Sequence, residues 1–125
     1  MTDKIIVKQS GAIARIIFNQ PEKRNAVSLE MWEAVEVALD KFAADKDVRV
    51  LILSGAGGKA FVSGADISKF ESERASADGV ARYNATTKLV YDKVEAFPKP
   101  TIAQIDGFCV GGGMALAVCC DIRIC

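Results

Sequence analysis

The sequence predicts an α/β fold, and three observations carry that expectation. Short β-branched apolar runs alternate with longer stretches whose apolar residues recur at helical spacing, at 29–42 and 80–94. Glycine-rich or proline-containing loops punctuate the boundaries. Half of the 125 residues are hydrophobic, enough to bury a core within one domain.

The elements follow in order. Residues 4–8 and 12–18 are β-branched runs separated by Gln9-Ser10-Gly11, a hairpin signal. Residues 19–26 form a polar loop, because Pro21 cannot simply continue a strand. A helix is expected from Ser28, a residue suited to capping, to about Asp45; Leu29, Trp32, Val35, Leu39 and Phe42 fall on one face. Residues 48–53 are almost uninterruptedly apolar and suit a strand buried on both faces. Residues 54–58 make a flexible loop. A second helix is expected over about 78–96, its inner face marked by Val80, Tyr83, Thr87, Val90, Tyr91 and Val94, and Phe97-Pro98-Lys99-Pro100 stops it. A strand at 101–105, a glycine-rich turn, a short apolar helix over 112–119 and a strand beginning at 121 complete the chain. An apolar strand with no closing element leads us to expect the front part of a longer protein.

Composition removes several function classes. Lys plus Arg and Asp plus Glu both number 16, so no basic footprint for nucleic acid or attraction to an anionic membrane is expected. There is no histidine, which excludes a histidine base, a Ser-His-Asp triad and imidazole metal ligands from this segment. Acid–base work here would fall to carboxylates, Lys, Tyr, Cys or water. The cysteines at 109, 119, 120 and 125 form no CxxC pair and are read as small buried thiols of a reducing compartment, with no metal expected. The N-terminus lacks a signal-peptide apolar stretch and no run is long enough to span a bilayer, so a soluble cytoplasmic protein is expected.

Two segments concentrate the chemistry: 61–67 (FVSGADI) and 106–115 (DGFCVGGGMA), each in a strand–turn–helix context. Three consecutive glycines at a helix start permit unusual backbone angles and close approach of a ligand. The first N–H groups of a helix have no intrahelical acceptor and carry partial positive charge. If the Gly64-Ala65 turn faces this helix, two peptide N–H groups converge on one oxygen, as in an oxyanion hole. The alternative is that the glycines serve only tight helix–strand packing. No Lys-Ser/Thr follows them as in a P-loop, GxGxxG is absent, and Ser63 lies in no GxSxG elbow.

Together these segments resemble the crotonase, or enoyl-CoA hydratase/isomerase, family over the whole chain. Asn19…Pro21…Asn25-Ala26 is similar to its first coenzyme A loop, Phe61…Gly64-Ala65-Asp66-Ile67 to its first oxyanion segment, and Gly107…Gly111-Gly112-Gly113 with Cys120-Asp121 to its second. The resemblance implies the crotonase-like fold of repeated ββα units, here as the N-terminal part of an acyl-CoA-binding domain spanning 1–125. It implies that the N–H groups of Ala65 and Gly112 form the oxyanion hole. Arg24 and Ala26 would line the coenzyme A path with Glu22 beside them. Backbone around Ala65, Asp66 and Ile67 would contact the adenine or pantetheine part. For Lys23 and Arg24 a solvated charged loop is the alternative, and for Asp66 a helix N-cap. No cofactor is implied beyond the coenzyme A that is part of the substrate, and the family suggests homotrimers or dimers of trimers. The chain departs from the pattern at Ala115, where the family's hydratases carry a catalytic glutamate. That departure leaves isomerisation, thioester hydrolysis or decarboxylation, or non-catalytic acyl-CoA binding, as alternatives to hydration.

Overall fold

The computed structural model describes residues 2–66 and 77–125. The β-branched run Ile5–Ser10 (β1) turns at Gly11 and pairs antiparallel with Ile13–Phe18 (β2), Ile5 opposite Phe18. A 3₁₀ turn at Pro21–Lys23 leads to helix α1, Leu29–Ala44. The Ser28 hydroxyl accepts the Met31 N–H at 3.3 Å, and Leu29, Trp32, Val35, Leu39 and Phe42 are all buried, as their spacing requires. Strands β3 (Val50–Gly55) and β4 (Ala60–Val62) precede helix α2 (Ala77–Glu95). Strands β5 (Thr101–Gln104) and β6 (Phe108–Cys109) precede helix α3 (Gly112–Cys119), and β7 spans Ile122–Ile124.

Among the described residues the elements therefore follow as three successive ββα units. The first strands of the units, β1, β3 and β5, build one sheet with β2 and β7, in the order β1-β2-β3-β5-β7, parallel from β2 onward. The second strands of units two and three, β4 and β6, pair with each other in a separate two-stranded sheet. The core of Ile16, Phe18, Trp32, Phe42, Leu51, Leu53 and Phe61 forms where α1 packs on β1 and β2 of the large sheet, with α2 packed against α1.

Three expectations need correction. The third strand lies two residues later than 48–53, because Ser54 and Gly55 pair with Ile17 and Phe18, while the Val48 N–H bonds back to the Asp45 carbonyl in a turn. Only Leu51 and Leu53 of that strand are fully buried, with Val50 and Ile52 partly exposed. The thiols are not uniformly buried: Cys120 is, Cys109 and Cys119 are half-buried, and Cys125 is exposed beside a β7 whose three residues are all exposed. Among the described residues, no helix is long and apolar enough to cross a membrane.

Candidate functional site

The loop between β2 and α1 is built by side-chain amides. Arg24 and Asn25 both take left-handed backbone angles, φ 52° and 57°, which asparagine tolerates better than most residues. The buried Asn25 amide then makes three hydrogen bonds. Its Oδ1 accepts the Gln20 N–H at 2.8 Å, and its Nδ2 donates to the carbonyls of Ala56 (3.0 Å) and Ala60 (2.8 Å). Gln20 Nε2 donates to the Ala26 carbonyl at 2.7 Å and to Asp66 Oδ2 at 3.0 Å. The Lys23 ammonium lies 3.6 Å from the same carboxylate oxygen. These bonds tie the 19–26 loop to the β3–β4 turn and to the segment after β4. Asn25→Ala is expected to destabilise the fold by about 3 kcal/mol, since two buried backbone groups and one partly buried carbonyl lose their partner. Urea denaturation of both proteins measures the difference, and a loss under ~1 kcal/mol contradicts it.

The two glycine turns meet beneath this loop. Gly64 has φ 127° and Gly111 has φ 55° with ψ −124°, conformations that favour glycine. A Cβ added at Gly111 would sit 3.8 Å from Gly64 Cα, so the turns are in contact. The third glycine has another role: a Cβ at Gly113 would lie 2.0 Å from the Val62 carbonyl oxygen. Only a bare Cα lets α3 approach β4 this closely.

Peptide planarity then sets the direction of two N–H groups. No described peptide bond is cis, so each N–H points opposite to the carbonyl of its own peptide unit. The Gly64 carbonyl accepts the Val27 N–H at 2.9 Å, which turns the Ala65 N–H away from Val27. The Gly111 carbonyl accepts the Ala115 N–H at 3.1 Å, closing the first turn of α3 and directing the Gly112 N–H out of its N-terminus. Neither N–H has an acceptor among the described residues. The structure thus brings together the turns that carry Ala65 and Gly112, each with an N–H that has no acceptor among the described residues.

Arg24 is exposed and its guanidinium lies 4.8 Å above the Phe108 ring, so the first loop reaches across to β6. Glu22 is exposed, and Ala26 is buried with its carbonyl on Gln20. Asp66 is 2% exposed and its side chain turns back to Gln20 and Lys23. Ile67, and any helix that Asp66 would cap, lie outside the described residues. Ala115 is partly exposed on the first turn of α3 and offers no titratable group.

Sequence reasoning did not find the Gln20–Asn25–Asp66 network or the roles of two tyrosines. Trp32 Nε1 donates to Tyr83 Oη at 3.3 Å, Tyr83 Oη donates to the Val27 carbonyl at 2.9 Å, and Tyr91 Oη donates to the Gly112 carbonyl at 3.3 Å. Burial first, then the neighbouring Tyr83 and Cys119, push the Tyr91 phenol up to about 12, so it stays protonated and able to donate. Burial likewise lifts the Cys120 thiol to about 11, which leaves it unreactive at neutral pH. No group of three or more His, Cys, Asp or Glu side chains is placed to hold a metal among the described residues.

The family model described as Enoyl-CoA hydratase/isomerase matches residues 8–125. The short-chain-enoyl-CoA hydratase of Clostridium acetobutylicum is 34% identical over 122 residues, covering 98% of this chain and 46% of that protein. The mitochondrial Delta(3,5)-Delta(2,4)-dienoyl-CoA isomerase of Mus musculus is 39% identical over 122 residues, covering 90% of this chain and 37% of that protein. The crystal structure of an enoyl-CoA hydratase/carnithine racemase from Magnetospirillum magneticum superposes with a TM-score of 0.90 at 45% identity, over 98% of this chain and 46% of that one. The chain spans less than half the length of each of these relatives.

Proposed function

Because the chain belongs to the enoyl-CoA hydratase/isomerase family, we propose that its protein binds an acyl-CoA thioester and holds the thioester oxygen between the N–H groups of Ala65 and Gly112. One observation carries the reading: two adjacent peptides, each with its carbonyl engaged by the protein, present N–H groups that have no acceptor among the described residues. When a proton leaves the carbon beside the thioester, or a nucleophile adds to a conjugated double bond, electron density moves onto that oxygen. Donors already aimed there stabilise the charge without reorganising. Gly112 opens an eight-residue helix, whose dipole adds partial positive charge at the same place.

The coenzyme A moiety would run along the 22–26 loop. Arg24 supplies a charge for phosphate, Glu22 stands beside it, and Ala26 contributes backbone. Backbone at Ala65, Asp66 and Ile67 would meet the pantetheine or adenine. The Gln20–Asn25–Asp66 network holds this loop in shape before any ligand arrives.

Ala115 favours a second reading within the same chemistry. Hydration delivers hydroxide to one carbon of the double bond and a proton to the other. Alanine can take part in neither transfer. Double-bond isomerisation needs one group that removes a proton from one carbon and returns it to another, and a residue outside this chain can supply that group. A protein that binds acyl-CoA without turning it over is separated from both by assay.

Calorimetric titration of the whole protein with acetyl-CoA tests the binding claim. Saturable binding is expected, weakened about tenfold, or ~1.4 kcal/mol, by Arg24→Ala. Absence of saturable binding to folded wild-type protein overturns the reading.

A further inference from the structure

We propose that Tyr83 and Tyr91, coupled through Trp32, are positioning residues that hold the Ala65 and Gly112 donors in register. The proposal rests on the oxyanion-hole reading above and extends it to groups that never touch the thioester.

Val27 is the clamp on one side. Its N–H engages the Gly64 carbonyl at 2.9 Å and its carbonyl accepts the Asp66 N–H at 3.1 Å. One residue thus grips the peptide units on both sides of Ala65. The Tyr83 hydroxyl is the outer anchor of that clamp, donating to the same Val27 carbonyl at 2.9 Å from helix α2. On the other side, two turns further along α2, the Tyr91 hydroxyl donates to the Gly112 carbonyl at 3.3 Å. A Cβ at Gly112 would meet that hydroxyl at 3.1 Å, so the phenol lies close against the first residue of α3.

Trp32 joins the two anchors. Its indole N–H donates to Tyr83 Oη at 3.3 Å, and its ring meets the Tyr91 ring edge-on at 5.8 Å and 86°. The same indole is 3.8 Å from the Cβ position of Gly112. One helix therefore fixes both halves of the hole through two hydroxyls, with the indole between them setting their spacing. Packing alone does not call for those hydroxyls, since phenylalanine fills nearly the same volume. The protonated state of Tyr91 is what this donor role needs.

The test uses the whole protein and acetyl-CoA labelled with ¹³C at the thioester carbonyl. Polarisation by two N–H donors moves that resonance downfield on binding. Tyr83→Phe and Tyr91→Phe are each expected to return roughly half of that displacement while the dissociation constant stays within about twofold, because the contacts to coenzyme A are untouched. A purely structural role would leave the bound resonance where it is. Variants that keep the full wild-type displacement overturn the proposal and leave the hole standing. A wild-type protein that binds acetyl-CoA with no downfield displacement overturns the hole itself, and the proposal with it. Tyr83→Phe strands a buried indole N–H, so a Tyr83→Phe protein without a cooperative melt leaves the half-exposed Tyr91→Phe to decide.

Discussion

The whole protein is expected to turn over crotonyl-CoA about 100- to 10,000-fold more slowly than a hydratase with a full pair of catalytic carboxyls, a range typical of removing one positioned acid or base. The proposed oxyanion donors are untouched by this departure, so the expected deficit belongs to proton transfer. Ala115 lies on the first turn of α3, three residues beyond Gly112, with its N–H held by the Gly111 carbonyl. A side chain there projects from a fixed backbone position beside the proposed hole. Ala115→Glu is expected to raise crotonyl-CoA hydration by about 100-fold, provided the rest of the protein brings a second carboxyl. Ala115 is partly exposed, so the longer side chain has room. Steady-state hydration of crotonyl-CoA by both proteins checks this. Wild-type turnover equal to that of a two-carboxyl hydratase shows that another group occupies the role and defeats this reading of position 115.

Gly112→Pro removes the donor and places a ring carbon where its hydrogen pointed. Proline has no N–H but is welcome at the first position of a helix, where that N–H has no intrahelical acceptor. Turnover of enoyl-CoA thioesters should fall by about 100- to 1,000-fold, the usual effect of losing one oxyanion donor. Thermal stability should change little. A Cβ at Gly112 meets the Tyr91 hydroxyl at 3.1 Å, and a phenol at the end of its side chain can yield by a few tenths of an ångström. Kinetics over 2-enoyl- and 3-enoyl-CoA thioesters, read beside a calorimetric melt, make the comparison. A stable Gly112→Pro protein with wild-type turnover removes Gly112 from the hole.

Local periodicity carried much of the fold. The apolar positions of α1 and the Ser28 cap stand in the sequence and in the structure alike, because both are decided within one or two helical turns. Strands β4 and β6 were not individually legible. They have three and two residues, too few to show alternation, and they exist because α3 and the Gly107 turn bring them together. The sequence could pose the pairing of the two glycine turns only as a condition, made specific by resemblance; their contact is a property of the sheet order. Gln20 and Asp66 are 46 positions apart, and nothing local marks them as partners. Tyr83 and Tyr91 could be read as inner-face residues, but helical spacing tells which face is buried, not which carbonyl a hydroxyl will find.

The run Gly111-Gly112-Gly113 spells three identical letters that encode three unlike constraints. At Gly111 the constraint is one of handedness: a φ of 55° with ψ −124° is the mirror image of an ordinary extended residue. At Gly113 handedness is irrelevant and exclusion is absolute, because a neighbouring backbone oxygen already occupies the space. Gly112 is bounded by side chains alone, the Tyr91 hydroxyl at 3.1 Å and the Trp32 ring at 3.8 Å, and has the widest latitude of the three. A substitution profile across the run should therefore be uneven, and the middle letter, the one proposed to meet the substrate, is the one whose side-chain identity the architecture constrains least.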